Sequence, residues 1–118
     1  MKKLNFILKN DDNIICNQNT IFEVVDEMYS FKIDNFDVLT KFGKKNFYLK
    51  RETEEDVFEV VFNKNNISAS VYLKVYNYTF SLNLTNVNYS YCDNAVSFSY
   101  EIDGEEKSIK SIIISFKN

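Results

Sequence analysis

Alternation with a period of two dominates the chain. Ile67, Ala69, Val71, Leu73 and Val75 alternate with Ser68, Ser70, Tyr72 and Lys74. Tyr78, Phe80, Leu82 and Leu84 alternate with Thr79, Ser81, Asn83 and Thr85. Val96, Phe98, Tyr100 and Ile102 alternate with Ser97, Ser99, Glu101 and Asp103. Successive side chains of a strand point to opposite faces, so each run predicts one face on a core and one in water, as in half-buried antiparallel strands. Phe, Tyr, Val, Ile and Thr, which suit a pleated surface, are plentiful. The predicted core contains Val71, Leu73, Phe80, Leu82, Phe98, Tyr100, Ile112 and Ile114. Phe116 shares a face with Ile112 and Ile114, while Ile109 and Ile113 share the other, so the last strand is expected to be covered on both sides.

Between the runs lie turn residues. Asn and Asp tolerate the left-handed region better than other non-glycine residues, and they must make most turns in a chain with two glycines. Asn10-Asp11-Asp12-Asn13, Asn63-Lys64-Asn65-Asn66 and Asp93-Asn94 stand where hairpin turns belong. Asp103-Gly104 is the strongest signal, predicting a two-residue type I′ hairpin with Gly104 at positive φ. Residues 21–29 support two readings. Thr20-Ile21-Phe22-Glu23 has the form of a capping box, and Ile21, Val24, Val25 and Met28 follow helical spacing, which predicts a short helix. Phe22, Val24 and Val25 are also strand formers, which predicts a strand. About ten short strands without repeat or linker predict an all-β antiparallel barrel over residues 1–118 as a single domain, with a β-sandwich as the alternative.

Composition then removes chemistries. The 118 residues include no His, which excludes Ser-His-Asp and Cys-His catalysis and His-containing zinc sites. Gly43 and Gly104 alone cannot form a dinucleotide-binding glycine fingerprint or a Walker A loop. Hydrophobic residues make up 45% of the chain, enough for a core. The net charge of −3 is a poor match to nucleic acid. Lys41, Lys44 and Lys45 read as a solvated loop, and Glu52, Glu54, Glu55 and Asp56 as a charged turn. Lys2 and Lys3 precede an apolar patch that Asn5 and Lys9 break, short of the ~7–15 uninterrupted apolar residues of a signal peptide. No run approaches the ~18 apolar residues of a membrane helix. A cytoplasmic protein with no membrane partner is expected, with Cys16 and Cys92 as reduced thiols.

The C-terminal two thirds of the chain resembles a known family. Val96-Ser97-Phe98-Ser99-Tyr100-Glu101-Ile102-Asp103-Gly104-Glu105, followed by the Ile-rich stretch from Ile109 to Phe116, resembles the closing hairpin of the YwiB-like proteins. Phe80-Ser81-Leu82-Asn83-Leu84-Thr85 is similar to that family's strand ending in Thr. Phe47-Tyr48-Leu49-Lys50-Arg51, with Phe62 eleven residues on, is similar to its apolar strand ending in Arg. The likeness covers roughly residues 39–118. This chain has Thr53 where the family usually has Gly, and Val75-Tyr76-Asn77 where it usually has a Pro-Tyr-Gly turn. The resemblance implies a bacterial calycin-like barrel, related in fold to lipocalins and fatty-acid-binding proteins. It implies no reaction.

Three residues are candidate ligand contacts. Arg51, the only arginine, phases with Phe47 and Leu49. On an inner face its guanidinium could take a carboxylate or phosphate in bidentate fashion. On an outer position it would reach water and pair with Glu52 or Glu54. Tyr78 and Tyr100 phase with inward apolar residues, and a buried tyrosine hydroxyl needs a partner. Two function classes stay open. One is a non-enzymatic barrel binding a small apolar or anionic ligand in its lumen through Arg51, Tyr78 and Tyr100. The other is a protein-interaction domain with a filled core, acting as a homodimer or on another protein through a strand edge or an aromatic outer face. No cofactor, metal or catalytic constellation is expected.

Overall fold

The computed structural model describes residues 2–64, 66–92 and 94–117. All regular structure among them is β: β1 Lys3–Asn10, β2 Asn13–Val25, β3 Met28–Ile33, β4 Phe36–Phe42, β5 Asn46–Glu52, β6 Asp56–Asn63, β7 Asn66–Leu73, β8 Tyr78–Leu82, β9 Leu84–Cys92, β10 Ala95–Ile102 and β11 Lys110–Lys117. Every pairing is antiparallel, in the order β8-β7-β6-β5-β4-β3-β2-β1-β11-β10-β9. The predicted all-β antiparallel fold is borne out, and apart from β1 with β11 each pairing joins strands consecutive in sequence.

The chain forms two compact units, Met1–Ile21 with Leu84–Asn118 and Phe22–Asn83. In the first, β1 pairs with β2 and β11, and β10 with β11 and β9. Its core is Leu4, Phe6, Val96, Phe98, Tyr100, Ile112 and Ile114, all from one face of β1, β10 and β11. Ile113 on the opposite face is half-buried and Ile109 is exposed, so the last strand is covered fully on one side only.

In the second unit, the end of β2 and strands β3 to β8 form a meander whose register stacks one face into two rows. Phe22, Phe31, Val38, Arg51, Phe58, Val71 and Phe80 stand opposite one another across seven strands. Val24, Tyr29, Thr40, Leu49, Val60, Ala69 and Leu82 form the next row. Burial peaks in the middle strands and falls toward β8, because a terminal strand has a neighbour on one side only. Val71, Leu73, Phe80 and Leu82, predicted as core, are therefore half-buried. Thr40 is the buried polar exception, and its hydroxyl donates to the Tyr48 carbonyl at 2.8 Å.

Of the two readings of residues 21–29, the strand is borne out and the helix is not. β2 runs to Val25, which pairs with Met28. Asp26 and Glu27 make the turn at φ 52° and 67°, both left-handed as type I′ requires. Pairing of Phe22 with Phe31 and of Val24 with Tyr29 outweighs one local capping signal.

The Asp103-Gly104 hairpin is also corrected. Gly104 does have positive φ, 90°, and Glu105 N–H donates to the Ile102 carbonyl at 3.3 Å. Asp103 is not left-handed, so the turn has the φ pattern of type II rather than I′. Residues 103–109 then connect β10 to β11, because Asp11 holds the far end of the loop. Asp11 N–H donates to the Ile109 carbonyl at 2.7 Å, and Ile109 N–H to Asp11 Oδ1 at 2.8 Å. A Cβ on Gly104 would meet no atom within 4 Å. Gly104→Val is therefore expected to cost about 1 kcal/mol through backbone strain alone. Urea denaturation measures it, and a cost below ~0.3 kcal/mol would contradict the strain argument.

The Asn10–Asn13 turn forms as expected, with Asp11 at φ 54°. Asn65 and Asp93, within two other expected turns, lie outside the described residues. The flanking residues pair, Asn63 with Asn66 and Cys92 with Ala95.

Candidate functional site: Arg51 on an apolar sheet face

Arg51 ends the inward face of β5 after Phe47 and Leu49, both buried. A β5–β6 turn built by Thr53 fixes its register. The Thr53 hydroxyl accepts from Glu55 N–H and Asp56 N–H, each at 3.1 Å, and donates to Asp56 Oδ1 at 2.8 Å. A hydroxyl thus does by hydrogen bonding what a glycine would do by backbone freedom. Glu52 then faces Val57, and Arg51 faces Phe58.

Val38 and Phe58 flank Arg51 across the sheet, and both are buried. The guanidinium carbon lies 5.4 Å from the Phe58 ring centroid and 5.7 Å from that of Phe36. Both distances are within cation–π range. Arg51 itself is half-buried. It makes no ion pair and no hydrogen bond to any described residue.

Glu52, the expected carboxylate, faces the other way and takes Lys74. Lys74 Nζ donates to Glu52 Oε2 at 2.7 Å and to the Thr53 carbonyl at 2.8 Å. That contact holds the Glu52 carboxyl below its ordinary range, by hydrogen bond first and charge second. With Glu52 engaged, the guanidinium keeps two aromatic neighbours and its own N–H donors. This geometry suits a carboxylate or phosphate bound by two parallel hydrogen bonds.

The two tyrosines differ. Tyr100, in the Met1–Ile21 and Leu84–Asn118 unit, is 7% exposed and packs on Phe98 at 5.6 Å between ring centroids. Tyr78, in the Phe22–Asn83 unit, has the expected phase beside Phe80 but lies at the start of the terminal strand and is 58% exposed. Within its unit, Tyr78 pairs with Leu73 rather than standing in the Arg51 row. Phe36 and Phe58, the aromatic partners of Arg51, were not singled out from the sequence. The Phe58-Val60-Phe62 alternation carries the signal for Phe58. Phe36 opens β4 beside the β3–β4 turn, where its alternation with Val38 is blurred by the apolar Leu39 and the polar Thr40.

On the opposite face of β5, the Tyr48 hydroxyl donates to Glu59 Oε2 at 2.7 Å. Burial, then this bond and the Glu59 charge, push the Tyr48 pKa up to about 12. The unfolded tyrosine ionises near 10. Between those values the unfolded state holds fewer protons, so stability is full below about pH 10 and falls as pH rises toward 12. Absorbance at 295 nm is expected to show a phenolate component near pH 12 that Tyr48→Phe diminishes. An unchanged titration in that variant would refute the assignment.

Neither cysteine is in a disulfide. No family model, no curated protein and no solved structure matches this chain.

Proposed function

We propose that this chain is a non-enzymatic binding protein for a small amphipathic ligand with an anionic head, held by Arg51. The observation that carries the reading is a half-buried guanidinium beside two phenylalanine rings, with no carboxylate partner among the described residues. A structural arginine of this burial ordinarily pairs, because desolvating a charge is costly. A ligand anion would supply the missing charge, and the half-buried Val71 and Phe80 farther along the same row would meet an apolar body. Membership of the YwiB-like proteins and a cytoplasmic setting belong to the same proposal and rest on the sequence alone, while the all-β antiparallel strand order is compatible with such a fold.

The test is a thermal-shift screen of fatty acids and nucleotides, followed by calorimetry, on the wild-type chain and Arg51→Ala. A carboxylate or phosphate compound is expected to raise the melting temperature of the wild type and not of the variant. Equal stabilisation of both, or no hit among anionic compounds, would overturn the reading.

A further inference from the structure

We propose that the ligand held by Arg51 ends in an aromatic ring stacked on Tyr78 and Phe80 of β8, so that its class is an arylalkyl carboxylate or phosphate. This inference rests on the Arg51 reading and adds the other end of the ligand to it. All the residues concerned belong to the Phe22–Asn83 unit.

The register sets three kinds of surface side by side on one face. Arg51 of β5 stands opposite Phe58 of β6, Phe58 opposite Val71 of β7, and Val71 opposite Phe80 of β8. The next row on that face runs from Asp56 through Leu73 to Tyr78. Phe58 is buried, and Asp56 accepts from the Thr53 hydroxyl at 2.8 Å, so β6 offers a ligand little. Val71, Leu73 and Phe80 are half-buried and Tyr78 is exposed. The accessible part of the face therefore passes from a cation on β5, to aliphatic side chains on β7, to aromatic rings on β8. Adjacent strands lie ~4.8 Å apart, so three steps place Phe80 roughly 14 Å from Arg51, backbone to backbone. An anionic head, an aliphatic linker and a terminal ring match that order.

The two rings of β8 make a platform. Their centroids are 6.2 Å apart and their planes 25° from parallel. The β7–β8 turn sets the place of Tyr78 opposite Leu73. Asn77 takes the left-handed region there at φ 47°, its N–H donates to the Lys74 carbonyl at 3.3 Å, and its Oδ1 accepts from the Tyr72 hydroxyl at 2.7 Å. A ring positioned in advance stacks on a guest at a smaller ordering cost. Aromatic rings gain from offset or edge-on contact with one another beyond the area they bury, and a saturated ring of the same size does not.

Calorimetry of the full chain compares phenylalkanoates, from phenylacetate to phenyloctanoate, with their cyclohexyl counterparts, which match them in charge and approximate size but lack the π face. The wild type is expected to bind the longer phenyl acids roughly 2–10-fold tighter than the cyclohexyl ones. Tyr78→Leu should bind both kinds of acid and lose most of that preference. Tyr76→Leu, in the adjoining turn, should keep it. Arg51→Ala should release both kinds. Circular dichroism confirms that the variants fold. Should Tyr78→Leu unfold, nuclear Overhauser contacts between the ligand ring and the Tyr78 and Phe80 rings of the wild type decide. The inference is overturned by equal affinity of phenyl and cyclohexyl acids, by a preference that Tyr78→Leu retains or Tyr76→Leu loses, or by a bound complex without those contacts. In each of these cases the Arg51 reading still stands if Arg51→Ala releases the acids. If Arg51→Ala binds them as the wild type does, both readings fall. If the wild type binds none of them but takes another anion through Arg51, only the aromatic end is refuted.

Discussion

The Phe98→Ala chain is expected to lose about 3–5 kcal/mol of stability, the range for deleting a fully buried ring. Phe98 is 0% exposed. It stands opposite Ile112 on β11 and Tyr89 on β9 and packs on Tyr100 along its own strand. Ile112 and Tyr100 are themselves buried, so little around the ring can collapse into the space it leaves. A domain of this size has about 5–15 kcal/mol in total, so the loss would take a large share of it. Equilibrium urea denaturation measures the cost. Tyr76→Ala is the control, since Tyr76 is 77% exposed and its loss should be within ~0.5 kcal/mol. Near-wild-type stability of Phe98→Ala would mean that β10 turns its other face to the core.

Phe98 shows how much of the fold is legible in the residue pattern. Strand alternation assigns a face whenever the strand is flanked on both sides, and β10 and β11 are. Phe98, Tyr100, Ile112 and Ile114 accordingly lie in the core, as the pattern predicts. The same alternation in β7 and β8 assigns the correct face but overstates burial, because periodicity does not reveal that β8 ends the strand order. Two local signals mislead for a related reason. The capping-box residues at Thr20–Glu23 meet a partner strand from Met28 onward, and that partner is invisible in a local window. The loop after Gly104 is held open by Asp11, a residue far away in sequence whose two hydrogen bonds to Ile109 no turn signal encodes.

The candidate site was half legible. The phase of Arg51 with Phe47 and Leu49 follows from counting alone. Its aromatic neighbours do not, since Phe58 comes opposite Arg51 only through the register that the Thr53 turn imposes. A chain with a tighter turn there would bring a different residue of β6 beside the guanidinium. The outward pairing of Glu52 with Lys74 depends likewise on the β7–β8 turn, where Asn77 N–H donates to the Lys74 carbonyl at 3.3 Å and the Tyr72 hydroxyl donates to Asn77 Oδ1 at 2.7 Å.

Arg51→Lys separates charge from geometry and is expected to weaken binding of an anionic ligand by roughly 10–100-fold while changing stability little. The lysine keeps the positive charge but presents a compact ammonium. It cannot offer two parallel N–H donors in a plane, nor match the delocalised guanidinium beside the Phe36 and Phe58 rings. Losing one charge-assisted hydrogen bond of about 1.5–3 kcal/mol accounts for that drop. The folded chain loses only part of a half-exposed cation–π contact, about 0.5–1 kcal/mol. Arg51→Ala removes charge and stem together and should weaken binding further. Calorimetry with a medium-chain fatty acid and the corresponding fatty alcohol makes the comparison. The acid should distinguish wild type, Arg51→Lys and Arg51→Ala in that order, and the alcohol should bind all three weakly and alike. If the alcohol binds as well as the acid, apolar contact alone holds the ligand and the guanidinium has no part in it. If the acid binds all three chains equally, the anion site is not at Arg51.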